Sequence, residues 1–232
     1  MTYSVALSVL QSRSLQRSNL EGATDFISTA ELTDSINQSI ADWYDMVRLT
    51  TFGGQMYRSS YPLPGGTSNG VSLYAVPADF LSLISVDAVI SGGVMTFDVK
   101  PYSEEMRNQF KNFMGGWIIS RPLYYQLQAG NINFVPTPSG SFPVTLNYVP
   151  TAPVLSNGSP LLDSINGWDE WIVLDVAVKC LIKDGQLDMI PQLQALQSRQ
   201  ADRIARAAAS RDTGHAEVVH DVTSNTDAWD DY

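Results

Sequence analysis

The sequence has 232 residues, enough to bury a core in one domain or in one domain with an insertion. Only 16% of the residues are charged, which favours burial between subunits, although a β-rich or secreted protein with a polar, uncharged surface fits equally well. The net charge of −10 argues against a protein that grips nucleic acid by its phosphates, because that affinity comes from Lys and Arg.

Two helices are predicted near the start of the chain. Residues 3–15, with Val5, Val9, Leu10 and Leu15, fit a short first helix. The second begins at Ser28, where residues 28–31 form a capping box. From there, apolar residues recur at three- and four-residue spacing and predict one buried face: Leu32, Ile36, Ile40, Trp43, Tyr44 and Val47.

The pattern then changes to that of strands. Residues 52–70 are rich in Gly and Pro and predict a loop. Short runs rich in aromatic and β-branched residues follow, separated by turn signals, at 71–76, 81–90, 94–99, 117–128, 131–135 and 142–149. One or two helical turns are expected within 103–113. These runs predict an antiparallel sheet or small barrel.

Helical periodicity returns at Asp163 and stops at Gly185. This helix is apolar on nearly every side, so we expect it to be central, with the single cysteine, Cys180, as a buried inert thiol. Pro191 suits the first turn of a last helix. That helix has a weaker apolar stripe, formed by Leu193, Leu196, Ile204 and Ala208.

These elements predict an α+β fold, in which N-terminal and C-terminal helix pairs pack together as one bundle, with an inserted antiparallel β-sheet or small barrel as a second layer. The expected divisions are N-terminal helices in 1–65, the β insertion in 66–155, C-terminal helices in 156–212 and an extended acidic arm in 213–232. After Arg211 the chain has six acids and no Lys or Arg.

No catalytic, cofactor-binding or metal-binding residue is predicted, so we expect a protein that is not an enzyme, and a hydrolase ranks last among the alternatives. His215 and His220 lie in the acidic arm without a cysteine partner, which favours solvated side chains over a metal site. The adjacent Asp169 and Glu170 point in different directions on a helix, so a place in its first turn explains them better than carboxylate chemistry.

Two candidate interaction sites remain. Arg199, Arg203 and Arg206 form a basic stripe on one side of the last helix, for which pairing with acids of the same or a neighbouring subunit is favoured over phosphate binding. In the acidic arm, aromatic residues among acids predict a docking segment: Trp229, Asp230, Asp231 and Tyr232. A sugar-binding surface on the aromatic strands is the alternative, and a glycan-array hit abolished by Trp117→Ala would support it.

No apolar run is long enough to span a bilayer, and residues 1–10 lack the basic region of a signal peptide. We therefore expect no membrane contact. The single cysteine excludes an internal disulfide and fits a reducing compartment. The expected location is a cytoplasm, or a particle assembled there.

Several segments, in this order and spacing, resemble the head-to-tail adaptor (connector) proteins of tailed bacteriophages. They are residues 26–32 (FISTAEL) with their continuation to 47, 73–81 (LYAVPADFL), 128–138 (QAGNINFVPTP), 146–150 (LNYVP) and 167–174 (GWDEWIVL). The resemblance covers roughly residues 1–212.

The resemblance implies a homo-oligomeric ring in the neck of a virion, typically of twelve copies, docked beneath the portal protein. Such a ring joins the portal to the tail or to the next neck protein, and the double-stranded DNA genome passes through it without specific binding. A different neck component, such as a stopper or a tail completion protein, is the nearest alternative.

Overall fold

A computed structural model of the chain describes residues 4–22, 26–50, 57–90, 95–106, 123–157, 162–163 and 165–211. Over these residues the protein forms four α-helices and ten short or medium β-strands. The helices are α1 (Leu7–Arg17), α2 (Thr29–Thr50), α3 (Asp169–Asp184) and α4 (Ile190–Arg211). The predicted mixture of helices with mostly antiparallel sheet is confirmed.

The strands form two four-stranded sheets and one two-stranded ladder. Their bounds are β1 (Ser4–Val5), β2 (Ser59–Pro62), β3 (Leu73–Ala75), β4 (Phe80–Ile90), β5 (Met95–Asp98), β6 (Lys100–Pro101), β7 (Tyr124–Gln128), β8 (Asn131–Val135), β9 (Val144–Pro150) and β10 (Leu162–Asp163). The first sheet has the order β2-β9-β4-β5, the second β3-β8-β7-β6, and β1 pairs with β10. Among these strands, β6 and β7 are parallel and the other pairs are antiparallel.

Helix α2 has the start and the buried face that its sequence predicts. The Ser28 hydroxyl oxygen accepts a hydrogen bond from the Glu31 backbone N–H at 3.2 Å, which satisfies one donor of the open helix end. The six residues of the predicted stripe are each at most 4% exposed. The Glu31 carboxylate accepts a hydrogen bond from Lys183 Nζ at 2.6 Å, so it also ties α2 to α3.

Helix α3 is the central helix, as predicted. It buries side chains on nearly every side, among them Ile172, Val176 and Leu181. It ends at Gly185, whose φ of +77° is a conformation that glycine adopts without strain. Cys180 is buried, and this burial raises the pKa of its thiol to about 11, as expected for an unreactive cysteine.

Three hydrophobic clusters lie in the described residues: two larger cores, and a small third cluster in which Leu174 and Leu181 of α3 pack with Leu193 of α4. All four helices contribute to the first, for example through Leu10 of α1, Ile36 of α2 and Ile204 of α4. The second draws residues from both four-stranded sheets, including Leu146 of β9 and Ile132 of β8. Strand β9 belongs to both cores, since its Val149 packs among the helices.

The structure corrects several local predictions. The helix predicted from Asp163 begins at Asp169, and Asp163 lies in β10. Leu196, assigned to the apolar stripe of the last helix, is 43% exposed. The predicted loop 52–70 contains β2, which pairs with β9 through Tyr61 and Leu146. Val5, assigned to the first helix, lies in β1 opposite Leu162. Val9, assigned to the apolar pattern of that helix, is 45% exposed. In the segment expected to contain a helical turn, Glu104–Met106 is a short 3-10 helix, and residues 107–113 lie outside the described part.

Candidate functional site

The predicted basic stripe lies on the solvent side of α4. Arg199, Arg203 and Arg206 are all exposed, and their spacing of four and three residues places them on one face. The apolar residues on the other side of the helix, such as Ile204 and Ala208, are buried in the helical core. The stripe is therefore available to a partner without any change in the fold.

A shallow cavity of about 410 Å³ adjoins this stripe. Arg199 and Arg203 line it together with Arg17 of α1, and its other lining residues are Glu170, Leu174, Leu196 and Gln200. Arg203 donates to the Asn166 carbonyl oxygen at 2.6 Å, which holds its guanidinium in place. Because a guanidinium has five N–H donors, Arg203 can bind further acceptors from outside.

An ion-pair cluster between α1 and α3 borders the cavity. Arg13 binds Asp169 and, at 2.6 Å, Glu170, while Arg17 binds Glu170 from the other side. Asp169 is only 1% exposed. Partial burial alone would lower the pKa of Arg13, but Asp169 and Glu170 together raise it above its usual value. The arginines that close α1 and the acids that open α3 thus fix the two helices against each other.

The sequence predicted the first-turn position of Asp169 and Glu170, which is confirmed, but it did not predict their arginine partners. Arg13 and Asp169 are 156 residues apart in sequence, and no local pattern connects them. The available signal was the position of the charges: Arg13 and Arg17 lie in the C-terminal half of one helix, and two acids lie in the first turn of another. If the C-terminal end of α1 packs beside the N-terminal end of α3, these opposite charges attract each other.

A second polar cluster joins three helices. The Asp175 carboxylate of α3 accepts hydrogen bonds from Ser39 Oγ of α2 at 2.7 Å and from Gln197 Nε2 of α4 at 2.8 Å. Lys179, four residues further along α3, places its Nζ 2.9 Å from the same carboxylate. Burial would raise the pKa of Asp175, but these donors outweigh it and hold the pKa below its ordinary value. This carboxylate therefore serves helix packing.

Helix α2 has an acidic exposed face. Glu31, Asp34, Asp42 and Asp45 are exposed on it, and Leu49 at its end is 79% exposed. Asp45 forms an ion pair with Arg48 at 3.2 Å. Such an exposed pair adds little to stability, so Asp45 can exchange this partner for another cation.

An aromatic pocket of about 380 Å³ lies where the helices meet the β segment. Tyr44 and Tyr57 pack against each other in its wall with ring centroids 4.8 Å apart. The Tyr44 hydroxyl donates to the Pro150 carbonyl oxygen at 2.9 Å, and burial raises the pKa of Tyr44 to about 12. The rings thus fasten α2 to the end of β9.

Other predicted positions lie outside the described residues. They are Trp117, His215, His220, Trp229, Asp230, Asp231 and Tyr232. In the ranges that the structure describes, no group of three or more His, Cys, Asp or Glu side chains could hold a metal ion. No helix in the same ranges is both long and apolar enough to cross a membrane.

Comparison with known proteins identifies a family. The family model described as "SU10 adaptor protein" matches residues 1–221. No curated protein matches the chain. The matched part contains the four helices, both sheets and the arginine stripe, and it stops before Trp229 and Tyr232.

Proposed function

The chain belongs to the SU10 adaptor protein family, a family of phage head–tail adaptors, and from this we propose that its copies close into a ring in the neck of the virion. The ring, typically of twelve copies, sits beneath the portal protein and joins it to the tail or to the next neck protein. The observation that carries this proposal is the family match over residues 1–221. The ring is assembled in the host cytoplasm and has a structural role without catalysis.

The charge of the protein supports a conduit for DNA. With a net charge of −10, the ring presents an acidic protein to the genome that passes through it. An acidic channel lining repels the phosphates of the DNA and prevents tight binding. Tight binding would oppose packaging and ejection, so the genome moves through the channel without specific contacts.

In the proposed arrangement the helices of 1–65 and 156–212 form one bundle, the β segment of 66–155 is inserted between them, and 213–232 is an arm. The shared helical core supports this division, since α1, α2, α3 and α4 all contribute to it. The arginine stripe faces the neighbouring subunit in the ring. Its three positive charges suit a contact within an acidic homo-oligomer.

The acidic arm docks on the portal. Trp229 and Tyr232 supply the apolar anchors, and Asp230 and Asp231 the charge. Deletion of residues 213–232 is expected to weaken attachment to the portal and to leave the fold unchanged. Equal attachment of the shortened and the full chain, measured by co-sedimentation with portal, would contradict this role.

The ring itself is tested by electron microscopy and native mass spectrometry. The purified chain, alone and mixed with its portal, is expected to give a closed ring of uniform copy number. A protein that stays monomeric both alone and with the portal refutes the proposal. A fluorescent or gold label on the C-terminus locates the arm relative to the portal and separates an adaptor from a stopper placed further down the neck.

A further inference from the structure

We infer that the arginine stripe docks against the acidic face of α2 in the next copy of the chain. This inference rests on the proposed ring, because a cyclic assembly joins two different surfaces of the same protein at each contact. The arginine face consists of Leu196, Arg199, Arg203 and Arg206 on α4. From the acidic face of α2 the contact uses Asp34, Asp42, Asp45 and Leu49, since Glu31 is already bound by Lys183.

The order of residues matches between the two faces. Along α4, Leu196 is followed by Arg199 and Arg203; along α2 in the reverse direction, Leu49 is followed by Asp45 and Asp42. Each set spans eight residues, whose ends lie about 10 Å apart along the helix axis. Two antiparallel helices therefore bring the leucines together and place both aspartates beside the two arginines.

The two leucines, Leu49 and Leu196, supply the apolar part of the proposed contact. Leu49 is 79% exposed and Leu196 is 43% exposed, so both leave apolar surface in water in the single chain. The cavity beside Arg199 has Leu174 and Leu196 in its lining. Leu49 of the next copy enters this cavity and buries its side chain, which is a favourable change.

The charged part of the match uses donors and acceptors that the fold leaves available. Arg199 and Arg203 are exposed at the rim of the cavity, and planar guanidinium groups bind carboxylates through two parallel hydrogen bonds. Asp42 is exposed, and Asp45 is held by a surface pair with Arg48. Leu196 and the arginines thus provide one half of a contact, and the α2 face provides the other.

The two faces contribute little to the folding of the single chain: Arg203 donates to the Asn166 carbonyl oxygen, and Asp45 pairs within its own helix with Arg48. The opposite side of α2 carries buried residues such as Ile36 and Ile40, and the opposite side of α4 carries Ile204 and Ala208. Charge reversal on the exposed faces therefore leaves the hydrophobic core intact. Because the exposed faces lie opposite the buried faces, charge-reversed variants are expected to fold, and they can be used to test the contact.

The test uses two charge-reversed variants of the full chain, Asp42→Lys/Asp45→Lys and Arg199→Glu/Arg203→Glu. Each variant alone opposes like charges at every contact, and we expect its self-association to be weaker by roughly tenfold or more per contact. In an equimolar mixture both kinds of contact are again complementary, so alternating rings with an even number of copies are expected. Glu21→Lys/Asp188→Lys is the control for the aspartate variant, because it makes the same charge change as that variant at exposed positions outside both faces.

Native mass spectrometry and light scattering distinguish the outcomes. Loss of the ring in each variant, its return in the mixture and a normal ring in the control support the pairing. If the wild type forms a ring and either variant alone also forms a normal ring, the proposed pairing is wrong, whereas the proposed ring still stands. If the stripe binds something else, such as portal or the acidic arm, the mixture does not restore a ring, and this outcome also overturns the pairing. A wild-type chain that forms no ring, with or without portal, refutes the proposed function as well.

Discussion

Replacement of Arg13 by methionine is expected to destabilise the fold by about 2–3 kcal/mol. Methionine keeps most of the apolar stem but removes the cation that binds Asp169, a carboxylate only 1% exposed. Removing one partner of a buried ion pair costs about 3–5 kcal/mol. The expected loss is smaller here because Arg13 is 35% exposed and because the first turn of α3 itself stabilises an anion.

Thermal unfolding followed by circular dichroism measures this loss, and for a domain of this size it corresponds to a decrease in Tm of roughly 5–10 °C. Arg17→Met is the matched control, since Arg17 is on the same helix and pairs with Glu170 but is 51% exposed. Its cost is expected to stay below about 1 kcal/mol. Equal losses for the two variants would show that burial of Asp169 does not govern the strength of the cluster, and the reasoning would be wrong.

Three further outcomes are expected. Asp175→Asn removes a carboxylate whose pKa is lowered in the folded protein, so the wild type has the larger free energy of unfolding at neutral pH. This difference is lost as the pH falls below about 4, because the carboxylate is then protonated. Urea-unfolding curves of both proteins at pH 7 and pH 3 check it. Ile40→Ala, at a fully buried position, costs about 3 kcal/mol in the same urea assay. Gly66→Ala places a Cβ 2.5 Å from the Phe142 carbonyl oxygen and lowers Tm more than Gly65→Ala, which has a similar positive φ and open space; equal decreases would exclude the contact as the cause.

The helices were predictable because their signals are local. The apolar spacing of α2, the Ser28 cap and the Gly185 stop each lie within a few residues of the feature that they determine. The arginine stripe was predictable for the same reason, because it depends only on helical spacing. Its exposure on α4 followed from the apolar residues on the other side.

The rest depends on contacts between distant parts of the chain. Strand β2 is a short edge strand that ends in Pro62, and its own residues resemble the surrounding loop; only its pairing with β9 makes it a strand. Ser60, for example, donates to Asn147 Oδ1 at 2.8 Å across 87 residues of sequence. The meeting of Arg17 with Arg199 and Arg203 at one cavity likewise depends on how α1 and α4 pack on α3.

Strand β9 has a mechanical consequence. Leu146 packs between the sheets and Val149, three residues later, packs among the helices, so one extended stretch of backbone is anchored at both ends. Tension applied to the sheets is transmitted to the helices along that short stretch, because the backbone between Leu146 and Val149 is already extended. The sheets and the helices of the chain would therefore share such a load as one stiff body.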